Sequence, residues 1–390
     1  MKCKKYTLSE LAMIKYGKSK KKVISDDGII PIYGTGGLMG RAIAALYNEP
    51  SVLIGRKGTI GKVKYVDHPF WAVDTLFYTV INTEIIIPKY FYYLMSLIDL
   101  NKYNEGTTIP SLRKEMLDRF EFYIPTIEDQ ERVLSCLNPI DEKIELNNKI
   151  NNNLEEQAQA IFKSWFVDFE PFGRIMPSDW EVCSLEKIVD FQNGYAFKSK
   201  DLLNKPNVNC YQVFKQGHIS RGGGFIPDGT KSWYPKNIDS KLEKYILKKG
   251  DILMAMTDMK GNVAILGNTA VMPVDDEYIV NQRVGHMRSN GYKGTTYPFV
   301  YLLTNSNNFL IDLRSRANSG VQVNLTSSEI KASEVLLPTE DINIMFSKIT
   351  LPIFEFIINN QLENERLTSL RNTLLPKFMS GEIDVSNISV

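Results

Sequence analysis

The chain has 390 residues, of which 43% are hydrophobic and 23% charged, an ordinary globular composition for two or three domains. Its net charge is +1, and its four cysteines and three histidines are scattered. This excludes a uniformly basic polyanion binder, a disulfide scaffold and a clustered zinc site.

The start, MKCKKYTLSEL, carries lysines with no apolar segment of signal length behind them. The longest apolar run, YFYYLMSLI at 90–98, is far short of a membrane span. A cytoplasmic protein with no membrane partner is expected. Residues 1–125 hold a net charge of +6. Their short β-rich runs, SVLIG, KVKYV and TLFYTVI, are bounded by glycine and proline and lead into a helical KYFYYLMSLI stretch. Two glycine-rich segments stand out. YGTGGLMGR at 33–41 is a near miss of GxGxxG and does not open a βαβ unit. LIGRKGTIGKV at 53–63 is a near miss of a phosphate-binding loop: Gly55 and Gly61 are one residue too far apart, and Val63 follows Lys62 where a hydroxyl is needed. The second segment predicts a strand, a polar turn and a strand, with Arg56–Thr59 at the tip.

Residues 126–176 have a net charge of −5 and read as one long helix. Val133, Leu137, Ile140, Ile144, Asn147, Asn151, Leu154, Ala158, Ile161 and Trp165 keep a 4-3-4-3 spacing, a heptad seam. Residues 177–338 are basic again, at +3, with β-rich KKGDILMAM and NVAILG followed by a helical YPFVYLLTNS stretch. Residues 339–390, at −3, repeat the seam as Phe346, Thr350, Ile353, Ile357, Asn360, Asn364, Leu367, Arg371, Leu374 and Phe378. The heptad phase continues across Pro139 and Pro352, so each proline is expected to bend its helix without ending it.

The alternation of charge marks a repeat. At an offset of 213 residues, GTTIPSL (106–112) falls on SGVQVNL (319–325), and Pro125-Thr126 falls on Pro338-Thr339. Asn147 and Asn151 likewise fall on Asn360 and Asn364. Two copies suggest a pseudo-twofold molecule, an α+β protein with two mixed domains (1–125 and 177–338) and two helical spacers (126–176 and 339–390). The helices are expected to pair antiparallel through Leu137, Ile140, Ile144, Asn147, Asn151 and Leu154 on one side. Ile353, Ile357, Asn360, Asn364 and Leu367 face them, with the asparagines fixing register at the centre.

SVLIGRKGTIGKV also aligns with DILMAMTDMKGNV at 251–263. Gly61 and Val63 match Gly261 and Val263, while Arg56, Lys57 and Thr59 become Met256, Thr257 and Met259. A phosphate cradle would keep its chemistry in both copies. A recognition loop would keep its frame and change its side chains, as would a plain hairpin with a drifting tip. No methyl-transfer motif, Ser/His/Asp arrangement or nuclease carboxylate–lysine set is present.

The ordered set of segments resembles the specificity (S, HsdS) subunit of type I restriction–modification systems. It comprises IPIYGTGGLMG, LIGRKGTIGKVKYVDHPFWAVDTLF, IPTIEDQERVLSCLNPIDEKIELNNKINNNLE, IFKSWFVDFEPF, KKGDILMAMTDMKGNV and LLPKFMSGEI. EDINIMF departs from the EDQER pattern of the first copy. The resemblance implies a non-catalytic DNA-binding subunit with two target recognition domains, each reading half of a split site on double-stranded DNA. It implies docking of two methyltransferase subunits, which use S-adenosylmethionine to methylate adenine, and restriction subunits joined through them. No cofactor is implied for this chain. Candidate DNA contacts are Arg41, Arg56, Lys57, Thr59 and Lys62 in the first domain. In the second they are Gln216, His218, Arg221, Thr257, Lys260, Asn262, Gln282 and Arg283. The other readings are a coiled-coil scaffold without DNA readout and a fused methyltransferase or nuclease.

Overall fold

The computed structural model describes residues 3–207, 209–237, 240–259, 263–317 and 322–386. The chain divides into two units. One takes the chain up to Glu145 and from Glu365 onward, and the other is Leu146–Asn364.

In the first unit the strands are β1 (Cys3–Thr7), β2 (Ala12–Tyr16), β3 (Ile30–Gly34), β4 (Gly37–Ala42), β5 (Ser51–Gly55), β6 (Val63–Val66), β7 (Trp71–Ala72), β8 (Leu76–Ile81) and β9 (Glu121–Pro125). A short α1 (Leu8–Leu11) starts at Thr7, whose amide donates to Glu10 Oε2 at 2.6 Å, while the Leu8 amide donates to the Phe120 carbonyl at 2.7 Å. Helices α2 (Pro88–Ser96) and α3 (Lys114–Leu117) lie between β8 and β9 in the chain. The strands form three sheets, in the orders β2-β8-β5-β6, β4-β3-β7 and β1-β9. β5 is buried along its whole length, so its continuous SVLIG reads as a central strand.

Helix α4 (Ile127–Phe166) leaves the first unit and ends in the second. The second unit then adds β10 (Glu181–Ser184), β11 (Val189–Asn193), β12 (Cys210–Phe214), β13 (Trp233–Pro235), β14 (Ile252–Ala255), β15 (Thr257–Met259), β16 (Thr269–Val271), β17 (Tyr278–Val280) and β18 (Val284–Ser289). After α5 (Tyr297–Thr304) and α6 (Asn307–Ser315) come β19 (Gln322–Asn324), α7 (Ser327–Lys331) and β20 (Glu334–Leu337). Helix α8 (Glu340–Ser380) returns the chain to the first unit. The sheets are β11-β18-β14-β16, β13-β12-β17 and β10-β20, with an extra pair, β15-β19.

The two sets of sheets have one topology. In each, the second strand of the three-stranded sheet pairs antiparallel with one neighbour and parallel with the other: β3 with β4 and β7, β12 with β13 and β17. Sequence identity between the halves is sparse, yet every ladder of the first half recurs in the second. One expectation is corrected. β14 pairs with β18 on one side and with β16, at Thr269–Val271, on the other, so Val263 is not the start of a returning strand. NVAILG is no strand either: its described residues, from Val263 on, form bends and turns.

Both long helices run unbroken through Pro139 and Pro352, in line with their continuous heptad phase. At 1.5 Å per residue, the 40 residues of α4 extend about 60 Å. Each unit uses its own parts of the helices as core. In the first, Val133 and Leu137 of α4 and Leu375 and Phe378 of α8 pack with Leu11, Val52, Phe77 and Phe91. In the second, Phe162 and Phe166 of α4 meet Phe346 of α8 and Phe299 of α5, with Phe166 and Phe346 centroids 4.8 Å apart. Edge-to-face aromatic packing of this kind adds to what area burial contributes.

Candidate nucleic-acid interface

The two glycine-rich segments of the first unit come together. Gly34–Gly37, at the tip of the β3–β4 hairpin, and Gly55, Thr59, Lys62 and Lys64, along the β5–β6 hairpin, line one cleft of about 280 Å³. Two glycines of the β5–β6 segment are required by geometry. A Cβ on Gly55 would sit 2.1 Å from the Thr59 carbonyl oxygen, and Gly58 has φ +88°. Buried Ile60 pins the far side of the turn to the core, which leaves Lys57, Gly58, Thr59 and Lys62 exposed.

This turn is also held by a segment distant in sequence. The Leu112 amide donates to the Arg56 carbonyl at 2.9 Å, the Gly58 amide to the Pro110 carbonyl at 2.8 Å, and Lys57 forms a bridge with Ser111. The second unit repeats the arrangement. Leu325 donates to the Met256 carbonyl at 2.9 Å, and Thr257 pairs with Asn324 in β15-β19. Ser111 and Leu112 are the residues that align with Asn324 and Leu325 at the 213-residue offset, so two stretches that repeat separately in sequence form one recurring site in space.

The rest of the frame recurs as well. The Arg56 amide donates to the Thr75 carbonyl at 2.9 Å, and the Met256 amide to the Arg283 carbonyl at 3.3 Å. Gly17 donates to Leu76 and Gly194 to Val284; Lys18 donates to Ala72 and Tyr195 to Val280. On this shared backbone the side chains differ throughout. Lys18, Arg56, Lys57, Asp74, Thr75 and Ser111 in one unit stand where Tyr195, Met256, Thr257, Gln282, Arg283 and Asn324 stand in the other.

Residues 2–156 and 177–372 match the family described as type I restriction modification DNA specificity domain. The chain belongs to that family. Among its relatives, the type I restriction enzyme MjaIX specificity subunit of Methanocaldococcus jannaschii is 25% identical over 365 residues, covering 88% of this chain and 80% of the relative. The HindI specificity subunit of Haemophilus influenzae is 24% identical over 386 residues, covering 83% and 84%. The fold is similar to a crystal structure of a type I restriction–modification S subunit from M. genitalium, at a TM-score of 0.55, 17% identity and 96% coverage of both chains. The two α+β units are therefore the DNA target recognition domains of a type I specificity subunit.

Within the first recognition domain, Arg56 is partly tied down. One Nη donates to the Asp74 carbonyl at 2.8 Å, and the guanidinium lies 5.1 Å from the Tyr16 ring centroid, which leaves further donors of its fork free. Arg41 is exposed on β4 and donates to the Ile29 carbonyl at 3.2 Å. In the second domain Gln216 and Thr257 hold each other. Thr257 Oγ1 donates to Gln216 Oε1 at 2.7 Å, and Gln216 Nε2 donates to the Thr257 carbonyl. Arg221, Gln282 and Arg283 are exposed, whereas Lys260 and Asn262 lie outside the described residues. His218 is corrected: it is fully buried, its Nδ1 accepts from the Lys215 amide at 3.0 Å, and its Nε2 lies 3.1 Å from Gln212 Nε2. Burial pushes the imidazole below its ordinary value, so it is a neutral support for the Lys215–Ile219 turn and has no surface to offer DNA. Among the described residues no group of three His, Cys, Asp or Glu could hold a metal, and no helix is long and apolar enough to cross a membrane.

The helix seam is polar where the second unit begins. Asn147 Nδ2 donates to Asn364 Oδ1 at 2.9 Å and to Glu363 Oε2 at 2.7 Å. Asn360 Nδ2 donates to Asn151 Oδ1 at 2.8 Å, and Asn151 Nδ2 donates to the Ile357 carbonyl. Each step of four residues up α4 is a step of four down α8, so this pairing is antiparallel. Asn147, Asn151, Ile357 and Asn360 are buried; Ile140, Ile144, Leu154, Ile353, Asn364 and Leu367 are half-buried along the same faces. Leu137 is buried in the first unit's core. The sequence reading missed Asp141 beside the seam, which takes hydrogen bonds from Tyr93 Oη at 2.6 Å and Arg371 Nη1 at 2.8 Å. Burial raises this carboxyl, and the two donors outweigh it, so the net shift is downward.

Proposed function

We propose that the two recognition domains read the two halves of a split DNA target, while the α4–α8 pair sets the distance between the halves. In this reading the helices dock two methyltransferase subunits, which carry out S-adenosylmethionine-dependent adenine methylation, and restriction subunits join through them. This chain contributes the address and no chemistry of its own. The observation that carries the reading is the single backbone frame built twice, with different side chains on the same hydrogen-bonded positions. A shared frame whose exposed side chains differ is what two readers of unlike half-sites need, because base edges specify while phosphate contacts position. A helix pair of about 60 Å is long enough to serve half-sites one DNA turn, roughly 34–36 Å, apart.

A docking face is available on α8. Met345, Ile349 and Phe356 are 52%, 40% and 54% exposed, and their spacing of four and seven residues places them along one stripe of the helix. Apolar groups exposed in line are a mark of protein contact. The acidic helices suit a protein partner better than a phosphate backbone.

The test is to exchange residues 1–125 for the corresponding segment of another specificity subunit, then map methylated adenines after reconstitution with the methyltransferase. One half-site changes and the other is kept; a change in both halves, or in neither, contradicts the assignment. Inserting four residues after Asn151 lengthens the unspecified gap, and an unchanged gap in a folded variant contradicts the spacer role.

A further inference from the structure

The shared frame makes a residue-level comparison possible that sequence alignment does not. Arg56 has Met256 as its aligned counterpart, so by sequence the first domain's arginine is lost from the second. In space it is not lost. The Met256 amide donates to the carbonyl of Arg283, as the Arg56 amide donates to the carbonyl of Thr75. The two arginines therefore sit on the two residues joined by one recurring backbone hydrogen bond: on the donor residue in the first domain, on the acceptor residue in the second.

The neighbours of this bond recur, although Met256 is buried in the core where Arg56 is half-buried. Thr257 and Lys57, the next residues along, each pair with the aligned Asn324 and Ser111. Asp74 and Gln282, which precede the acceptor residues, are both exposed. Arg56 keeps donors free beyond its bond to the Asp74 carbonyl, and among the described residues no side-chain hydrogen bond or ion pair engages the guanidinium of exposed Arg283. A guanidinium on a rigid two-stranded frame, with adjacent donors unspent, is suited to a bidentate acceptor pair. In the major groove that pair is O6 and N7 of guanine.

We propose that Arg56 and Arg283 are equivalent specificity-determining residues, each reading one guanine in its own half-site from opposite ends of the same frame hydrogen bond. This rests on the two-half-site reading above. It adds that each half-site contains a guanine read at this locus, and that an arginine can change sides of the bond without leaving the site.

The experiment uses the full chain reconstituted with its methyltransferase subunits, in competition binding against target duplexes. Single guanines in each half-site are replaced in turn by 7-deazaguanine, which lacks the N7 acceptor. For the wild type, one position in each half-site loses about tenfold to a hundredfold. Arg56→Met abolishes that sensitivity in the first domain's half-site and leaves the other half-site as it was; Arg283→Thr does the reverse. The decisive variants move the arginine across the bond: Arg56→Met with Thr75→Arg, and Met256→Arg with Arg283→Thr. Recovery of deazaguanine sensitivity at the same half-site in either double variant supports the equivalence. If both double variants melt like wild type yet stay as insensitive as the single variants, the equivalence is overturned. Wild-type duplex preference with no guanine sensitivity tied to either arginine overturns the proposal alone. Absence of any preference over random DNA overturns the two-half-site reading with it.

Discussion

The two recognition domains share a strand order and a hydrogen-bond frame, and they differ in how they fill it, both at the presented surface and deep in the sheet. At the start of the central strand the first domain buries a neutral network. Ser51 Oγ donates to the Thr79 carbonyl at 2.8 Å, and the Val52 amide donates to Thr79 Oγ1 at 2.9 Å. The second domain buries charge at the matching place. Asp251, 1% exposed, accepts from Arg288 Nε and Nη2 at 2.7 and 2.8 Å and from the Lys248 amide. His286 Nε2 lies 2.8 Å from its carboxylate, off the line of a hydrogen bond. One fold thus accepts either a hydroxyl network or an ion pair at this position. The topology is set by the apolar strands around it, and the polar filling is free to diverge.

The largest effect should come from breaking the ionic version. Asp251→Asn leaves Arg288 without its carboxylate beside a buried site and is expected to destabilise the second unit by about 3 kcal/mol, the low end for a broken buried pair because Arg288 is half exposed. Ser51→Ala in the first unit is expected to cost about 1–2 kcal/mol. Thermal or urea unfolding of the two variants measures the difference; equal losses would show that the two networks are not distinct.

Acid should separate the domains in the same direction. Burial raises the Asp251 carboxyl, but His286 and Arg288 outweigh it and hold it below the ordinary carboxylate value. A folded value below the unfolded one means the stabilisation is complete above the unfolded pKa of about 4 and is lost as pH falls through the folded value. The second unit's amides should lose hydrogen-exchange protection in that window, and Asp251→Asn should remove the pH dependence. Persistence of the dependence in the variant would assign it to other carboxylates of that unit, such as Glu181, which Lys187 and Lys293 hold below the ordinary value.

The helix seam offers a smaller contrast. Replacing Asn151 and Asn360 together by leucine is expected to raise the melting temperature while relaxing register, since paired buried asparagines cost stability and specify alignment. Mixed gap lengths in methylated sites would report the slip; a single unchanged gap would show that Asn147 and Asn364 suffice. Smallest is Lys62→Ala. An exposed lysine on the cleft is expected to act on phosphate, weakening all duplexes alike and reducing the salt slope by about 1. A base-specific effect would move Lys62 from positioning to readout.

Much of this was legible in the sequence because it rests on periodicity. The 4-3-4-3 spacing gave both long helices through their prolines; the offset of 213 residues aligned Asn147 with Asn360 and Asn151 with Asn364, and the expected antiparallel pairing is met in the contacts Asn147–Asn364 and Asn151–Asn360. Local pattern failed where partners are remote. NVAILG is apolar enough for a strand, but the position beside β14 is taken by Thr269–Val271, and this segment forms the turns that lead to it. His218 looked like a loop residue because its neighbours Gln216, Gly217 and Arg221 are polar, whereas Phe214, Phe225 and Tyr278 surround its ring. The equivalence of Thr75 with Arg283 could not be aligned, since no identity links TLFYTVI to VGHMRS and the match exists in the ladders. The alignment of GTTIPSL with SGVQVNL did carry a usable signal: it marked the segment that clamps the recognition turn in both domains.

On the proposed reading, the same frame, presented twice, addresses two separate half-sites. The most direct measurement is a map of methylated adenines for the reconstituted complex carrying Arg56→Ala or Arg283→Ala. Two non-overlapping outcomes are expected, each variant relaxing the motif at one position in one half-site and leaving the other half-site and the gap intact. Relaxation of the same position by both variants, or of both half-sites by either one, would contradict that reading.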